Sequence, residues 1–375
     1  MTTTTTPYPG NSGDPGTPVL RGTSGYPPVL RGRVLRTRHD AVSLRWHPRT
    51  VLVCVVLSVA TALVAALSLT TGDYPVPLGR VIDTLAGGGT SIDHFIVITL
   101  RLPRLVAGLL IGAALGMSGA VFQSLARNPL GSPDIIGFTS GAATGAVLEI
   151  LVFHGDQVAI ASASILGGLT TALVVYLCSV KGRRVASYRL ILVGIGVSAM
   201  LDSATSYLLT RATLYDAQNA QVWLIGSLNA VGWNVVTPLA AALLVLTPVT
   251  IVTGRVLGWM EMGDDAATAL GIPVERTRLI LVVAATALCA AATAAAGPIA
   301  FVALAAPQLC RRLTQATGAL IVPAGFMGAF LLSLSDFSAQ RVLPSTQLPV
   351  GLMTGVIGGG YLCWLLGNQL KAGRS

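Results

Sequence analysis

Charge is the scarcest commodity in this chain. Only 10% of its 375 residues are Asp, Glu, Lys or Arg, where a soluble domain carries about 25%. So few charges cannot cover a water-exposed surface, which excludes a soluble globular protein. Aromatic residues are few as well, at 6%. The five cysteines (Cys54, Cys178, Cys289, Cys310, Cys363) fall in or beside apolar runs, with no Cys-x-x-Cys pair. That spacing gives no metal or disulfide signature and leaves small buried thiols. The four histidines (His39, His47, His94, His154) show no ligand spacing. There is no Walker phosphate loop, no Gly-x-Ser-x-Gly and no His-Glu-x-x-His. Nucleotide hydrolysis and covalent catalysis are therefore not expected, nor is a cofactor.

What the chain has is apolar length. It is 53% hydrophobic, with a mean hydropathy of +0.73. Uncharged runs predict an all-α integral membrane protein with about ten transmembrane helices of about 20 residues each. The predicted spans are 51–69, 105–125, 135–153, 158–180, 189–209, 234–254, 319–334 and 350–367, plus two from the run 279–309, which Gly297-Pro298 divides. Residues 1–48 are rich in Thr, Pro, Gly and Ser, then in Arg. Such a segment cannot bury a core and predicts a disordered basic cytoplasmic tail ahead of a membrane domain over 49–375. It lacks the pattern of a signal peptide.

The formal net charge of +9 is read as topology and not as nucleic-acid binding, because the basic residues fall in loops. The arginines before Val51, Lys181 with Arg183 and Arg184, Arg255, Arg311-Arg312, Lys371 and Arg374 all lie on one side. The positive-inside rule puts that side, with both termini, in the cytoplasm.

Against this pattern Arg101, Arg104 and Arg341 fall outside, each beside a span end. Such arginines either snorkel or pair with a nearby acid such as Asp93 or Asp336; alternatively they form a docking site for acidic groups on a partner. On the inner side, 259–273 reads as a short capped helix. Asp264 suits the N-cap, Asp265 the positive end of the dipole, and Gly271 the C′ position before Pro273. It is either an ordinary loop helix or a knob offered to a cytoplasmic partner. Glu149 and Asp202 are carboxylates inside apolar runs. They read as structural pairs, with the small polar segment 198–206 able to hydrogen-bond Asp202 across helices, or as a proton relay in a proton-coupled secondary transporter.

Longer motifs carry a resemblance. RLPR at 101–104, GAALGMSGAVFQSLARNPLGSPDIIG at 112–137, LGIPVERTRL at 270–279, GPIAFVALAAPQLCRR at 297–312 and QLPVG at 347–351 resemble the FecCD-type permeases, the membrane subunits of ABC importers for iron-siderophores, haem and cobalamin. The resemblance runs from about residue 50 to the end and is strongest to the ferric-enterobactin branch, whose permease pairs with a second, different one. It implies the type II ABC importer permease fold, with ten helices per subunit, in the cell inner membrane. It also implies a second permease subunit (a different homologue, or a second copy in a homodimer), two cytoplasmic ATPases and an external siderophore-binding protein. The chain itself is then no enzyme, and its cargo is a ferric siderophore of catecholate type, with haem or cobalamin as the alternative. Carried over residue by residue, the resemblance gives Arg101, Arg104 and Arg341 the docking of the binding protein. It gives Gly263, Asp264, Asp265, Ala266, Ala267, Leu270 and Gly271 the ATPase-coupling helix. Asn128 and Leu130 match one cytoplasmic gate position, and Ser187 and Tyr188 the other. Tyr188 departs from the two small hydroxyl residues of the cobalamin-type members.

Overall fold

The computed structural model describes residues 33–36, 43–181, 184–185, 187–229, 231–343 and 347–372. The chain divides into two units, Met1–His47 and Pro48–Ser375. In the first, β1 (Arg33–Arg36) pairs antiparallel with β2 (Ser43–Trp46). The rest of the tail expected to be disordered, 1–32 and 37–42, lies outside the described residues.

The second unit is helical. It opens with α1 (Pro48–Thr70). The next run is α2 (Leu78–Leu85), α3 (Ser91–His94), a π-helical stretch at Phe95–Arg101 and α4 (Leu102–Ala126). Then come α5 (Phe138–Leu148), continued by a π-helical turn at Glu149–Phe153, and α6 (Gln157–Ser179). A hairpin of β3 (Val180–Lys181) and β4 (Arg184–Val185) leads to α7 (Ser187–Arg211) and α8 (Leu214–Ile225). The chain continues with α9 (Trp233–Gly254), α10 (Leu257–Met260), α11 (Asp264–Ala269) and α12 (Val274–Ala296). It ends with α13 (Val302–Thr314), α14 (Ile321–Ala339) and α15 (Val350–Ala372).

Among the described residues, 7 helices are long and apolar enough to cross a membrane, and Phe138–Phe153 and Val350–Trp364 are shorter apolar helices. With the 13-residue α13, these coincide with the spans expected from hydropathy. The break before α13 comes from two left-handed residues, Gly297 at φ +75° and Phe301 at φ +69°.

The second span departs from expectation. The segment 73–99, read as external, holds α2 and α3, and an unbroken helix runs Ser91–Ala126 over 36 residues. Thr90 caps its start by accepting the Asp93 N–H at 3.2 Å. Arg101 and Arg104, expected at the limit of the span, belong to this helix, which continues beyond them, and each guanidinium finds oxygen partners on a neighbouring segment.

The long helix is the core of the molecule. Every residue from Ala114 to Leu125 is buried. Gly112 and Gly116 lie against Gly328 and Ala324 of α14, and Gly119 lies against the Ala303 carbonyl of α13. Where lipid supplies no hydrophobic force between helices, such backbone contact supplies the packing. A Cβ on Gly119 would run into the Ala303 carbonyl oxygen, whereas one on Gly79 would meet nothing within 4 Å. Gly119→Ala should therefore cost about 2–3 kcal/mol by overpacking. The yield of monodisperse solubilised protein should fall sharply for Gly119→Ala and stay level for Gly79→Ala.

One further contact orients the later argument. α7 packs on α5 through hydroxyls, Ser140 with Ser198 at 2.8 Å and Thr144 with Thr205 at 2.9 Å. This fixes which side of α7 faces the bundle.

Candidate functional site

At one end of the bundle, on the side expected to face outward, three cations meet. Arg101 Nη1 donates to the Leu69 carbonyl and Nη2 to the Tyr74 carbonyl, both at 2.6 Å. Arg104 grips Asp336 with two nitrogens, Nη2 to Oδ1 at 2.8 Å and Nε to Oδ2 at 3.1 Å, and donates Nη1 to Gln347 at 2.9 Å. Both sides of this pair are shielded, with side chains 14% and 9% exposed. Arg341 donates to the Phe337 carbonyl at 3.0 Å and to the Thr71 hydroxyl, with its guanidinium over the Phe337 ring. Burial lowers the Arg341 pKa, the charges of Arg101 and Arg104 lower it further, and Asp336 opposes them. Asp93, the other candidate acid, takes Arg80 at 3.4 Å.

The structure thus gathers the three predicted arginines and separates their roles. Arg104 satisfies the pairing reading, since it neutralises a buried carboxylate. The hydrogen bonds of Arg101 and Arg341 go to neutral oxygens, and both remain half-exposed. Their charge is the part of the cluster available to a partner.

On the side expected to face the cytoplasm, Gly263 (φ +126°) precedes α11, and Asp264 is its first helical residue, not its N-cap. The side chain is engaged elsewhere. Asp264 Oδ1 accepts from Arg127 Nη2 at 2.6 Å and Oδ2 from Arg278 Nη2 at 2.7 Å. Arg127 also donates to the Met260 carbonyl at 2.6 Å, and Arg278 to Glu275 at 3.0 Å. Desolvation pushes the Asp264 carboxyl up, but the hydrogen bonds and charges of Arg278 and Arg127 outweigh it and hold the pKa below its ordinary value. The helix ends as Gly271 foretold: Gly271 N–H bonds to Thr268 and Ile272 N–H to Ala267, at 2.9 and 3.1 Å, with Gly271 at φ +81°.

Of the residues expected to form the coupling helix, Ala267 is 0% exposed and packs into the main core. The face α11 shows outward is Asp265, Ala266, Ala269 and Leu270, with Met262 beside it.

The residues expected to form the gate, Asn128 and Leu130, follow directly on Arg127 of this knot. Arg127 ends α4 in the left-handed region (φ +49°). Asn128 Oδ1 then accepts the Leu130 N–H at 2.9 Å, and Gln308 of α13 holds the Pro129 carbonyl at 2.6 Å. Leu130 is 49% exposed and Tyr188 73% exposed; Ser187 opens α7. Arg127 and Arg278 escaped the sequence reading because both were counted as loop charge. The available signal was Arg127 standing directly before the gate residue Asn128.

The two membrane carboxylates are not paired as expected. Within 198–206, Ser198 and Thr205 bond to α5, while Ser203 and Ser206 bond back to their own helix at the Ala199 and Asp202 carbonyls. The Asp202 side chain is exposed, although Ser198 and Thr205 lie within one turn of it on the helix surface. Glu149 is half-buried, its Oε1 lying over Gly155 in the external turn. Among the described residues no group of three His, Cys, Asp or Glu is placed to hold a metal ion.

Comparison with known proteins gives one answer. Residues 60–368 match the FecCD transport family. The ferric enterobactin transport system permease protein FepG of Escherichia coli K12 is 41% identical over 318 residues, covering 85% of this chain and 96% of its own. FepD, also described as a ferric enterobactin transport system permease of that organism, is 34% identical, covering 82% of this chain and 92% of its own. Among solved structures, a metal-chelate type ABC transporter in an inward-facing conformation superposes with a TM-score of 0.74 at 26% identity, covering 84% of this chain and 99% of its own.

Proposed function

This chain belongs to the FecCD transport family and is the multi-pass membrane permease of an ABC importer, and from that premise we propose that its cargo is a ferric siderophore of the catecholate class. The 41% identity to a ferric enterobactin permease across nearly its whole length carries this reading. A second, different permease completes the pore, in keeping with the two distinct ferric enterobactin permeases of one organism that this chain matches. Two ATPases engage the complex from the cytoplasm, where both termini lie, and a siderophore-binding protein engages it from outside.

The work of this chain is mechanical. An ATPase grips the outward face of α11 through Ala266, Ala269 and Leu270. Motion of α11 then reaches two helices through one carboxylate. Asp264 pulls on Arg278, at the start of α12, and on Arg127, which ends α4 and adjoins the gate turn Asn128–Leu130. Opening at the inner mouth follows from moving that turn against α13 and the start of α7. Ala266→Glu with Leu270→Glu should abolish ATP-driven uptake of a ferric tris-catecholate into proteoliposomes while the protein still folds, since both side chains are exposed. Undiminished uptake would remove the coupling assignment.

Outside, Arg101 and Arg341 offer positive charge to acidic groups of the binding protein. Exposed pairs contribute about 0–1 kcal/mol each, so their effect is on encounter and register. Arg101→Glu with Arg341→Glu should slow association about tenfold at low ionic strength. The difference should shrink at high salt, where the Debye length is about 3 Å. Stopped-flow association rates at two salt concentrations check this.

A further inference from the structure

The membrane helices differ in a way that singles out α7. Pro48–Thr70 is 11% buried, and its mean hydropathy of 2.7 suits lipid. Ile321–Ala339 has a mean hydropathy of only 1.4, but it is 56% buried in the protein. Tyr188–Arg211 combines the unfavourable halves, at 1.4 and 11% buried. Its packed side is spent on α5. Its exposed side carries apolar Leu192, Ile195 and Met200 together with Asp202, Ser203 and Ser206.

Asp202 is the decisive residue on that side. It lies about 13 Å along the helix axis from Arg211 and about 22 Å from Ser187, which is near the midplane of a hydrocarbon core about 30 Å thick. No ion pair or side-chain hydrogen bond reaches its carboxylate among the described residues. A bare carboxylate at that depth facing lipid is too costly to persist. The flanking hydroxyls of Ser203 and Ser206 donate inward to their own helix, which leaves their acceptor lone pairs facing outward beside Asp202. This side of α7 therefore meets water or another polar surface.

We propose that Asp202 stands in the water-filled translocation path as a charge-selecting residue, which favours chelates presenting neutral, cationic or hydrogen-bond-donor groups to the wall and weakens the hold on polyanionic ones. The proposal rests on the importer reading above and adds to it what the path itself discriminates. A ferric tris-catecholate carries a charge of minus three, and a ferric tris-hydroxamate none. A carboxylate about 10 Å from a trianion in water lowers the local trianion population about eightfold, less as salt screens it. The path thereby stays slippery for an anionic cargo released from the binding protein, and nothing lodges there.

The test uses the complete importer in proteoliposomes, with a ferric tris-catecholate and a ferric tris-hydroxamate as separate probes and matched binding proteins. Asp202→Asn should shift dwell of the catecholate in the path. Equilibrium binding of that probe to the permease complex without binding protein should tighten about fivefold at about 0.01 M ionic strength and about twofold at about 0.15 M, with hydroxamate binding unchanged. Equal changes for both probes, or none, would overturn the proposal. Should Asp202→Asn fail to assemble, Ser203→Cys decides the geometry. A membrane-impermeant aqueous thiol reagent should label it above the level of the parent chain's own cysteines, and cargo should slow that labelling. No added labelling would mean that this face is covered by the second permease instead of water, and the proposal fails. Failure of the parent importer to take up either chelate would count against the importer's cargo assignment, independently of Asp202.

Discussion

Asp264→Ala should uncouple the importer: uptake falls at least tenfold while the ATPases continue to turn over. The carboxylate is shared by Arg127 and Arg278, and Arg278 has a side chain just 5% exposed. Removing one partner from a buried pair leaves a charge uncompensated, at about 3–5 kcal/mol for full burial. Glu275 still holds Arg278, and Asp264 is itself 36% exposed, so about 2–3 kcal/mol is the expected loss after solvent screening. The functional loss should exceed the thermal one, because the same contact transmits α11 motion to α4. A double-mutant cycle with Arg127→Ala separates the two. A coupling of about 1 kcal/mol in stability, with no further loss of uptake in the double variant, fits a single transmission line. The pH dependence has a definite sign. A depressed carboxyl pKa contributes stability above its ordinary value of 3.8, lost as pH falls through the lower folded value. Across about pH 6 to 8 the clasp is fully formed, so the defect of the variant should be constant there. A defect that grew or shrank over that range would point to a different titrating group.

What the sequence made legible was local. Span length and position follow from uncharged runs, so the span expected at 51–69 appears as Pro48–Thr70. The short returning helix before Arg311-Arg312 follows from Gly297-Pro298, and the end of α11 from Gly271. Two kinds of information were not local. One is pairing across the chain: Arg104 finds Asp336 232 residues away and Arg127 finds Asp264 137 residues away. No periodicity encodes such a match, so neither pair is legible in the sequence pattern. The other is which side of a short helix is turned inward. Six residues of α11 carry too little pattern to show that Ala267 is core while Ala266 and Leu270 are surface. Asp202 shows the reverse case. Its neighbours offered hydroxyls in sequence, but Ser198 and Thr205, each within one turn of it, bond to α5, and the carboxylate stays exposed.

The largest loss of stability should come from Asp336→Ala. Here both partners are shielded, Arg104 at 14% and Asp336 at 9% exposed, and the geometry is bidentate. Asp336 also accepts from Gln340 at 2.7 Å, so its loss frees two donors. About 3–5 kcal/mol is expected, read as a fall in the thermal midpoint of the solubilised complex. The same pair decides whether Arg104 belongs to the docking cluster at all. A buried ion pair is often replaceable by apolar residues of similar volume at little cost. Arg104→Met combined with Asp336→Leu should therefore recover most of the stability that either single change loses. If Arg104 serves the fold alone, the double variant binds the external partner at close to the parent rate, because Arg101 and Arg341 still present their charge. If Arg104 grips an acidic group of that partner, the double variant folds and yet associates slowly. The shielding of the guanidinium, and the bonds that commit it to Asp336 and Gln347, lead us to expect the first outcome.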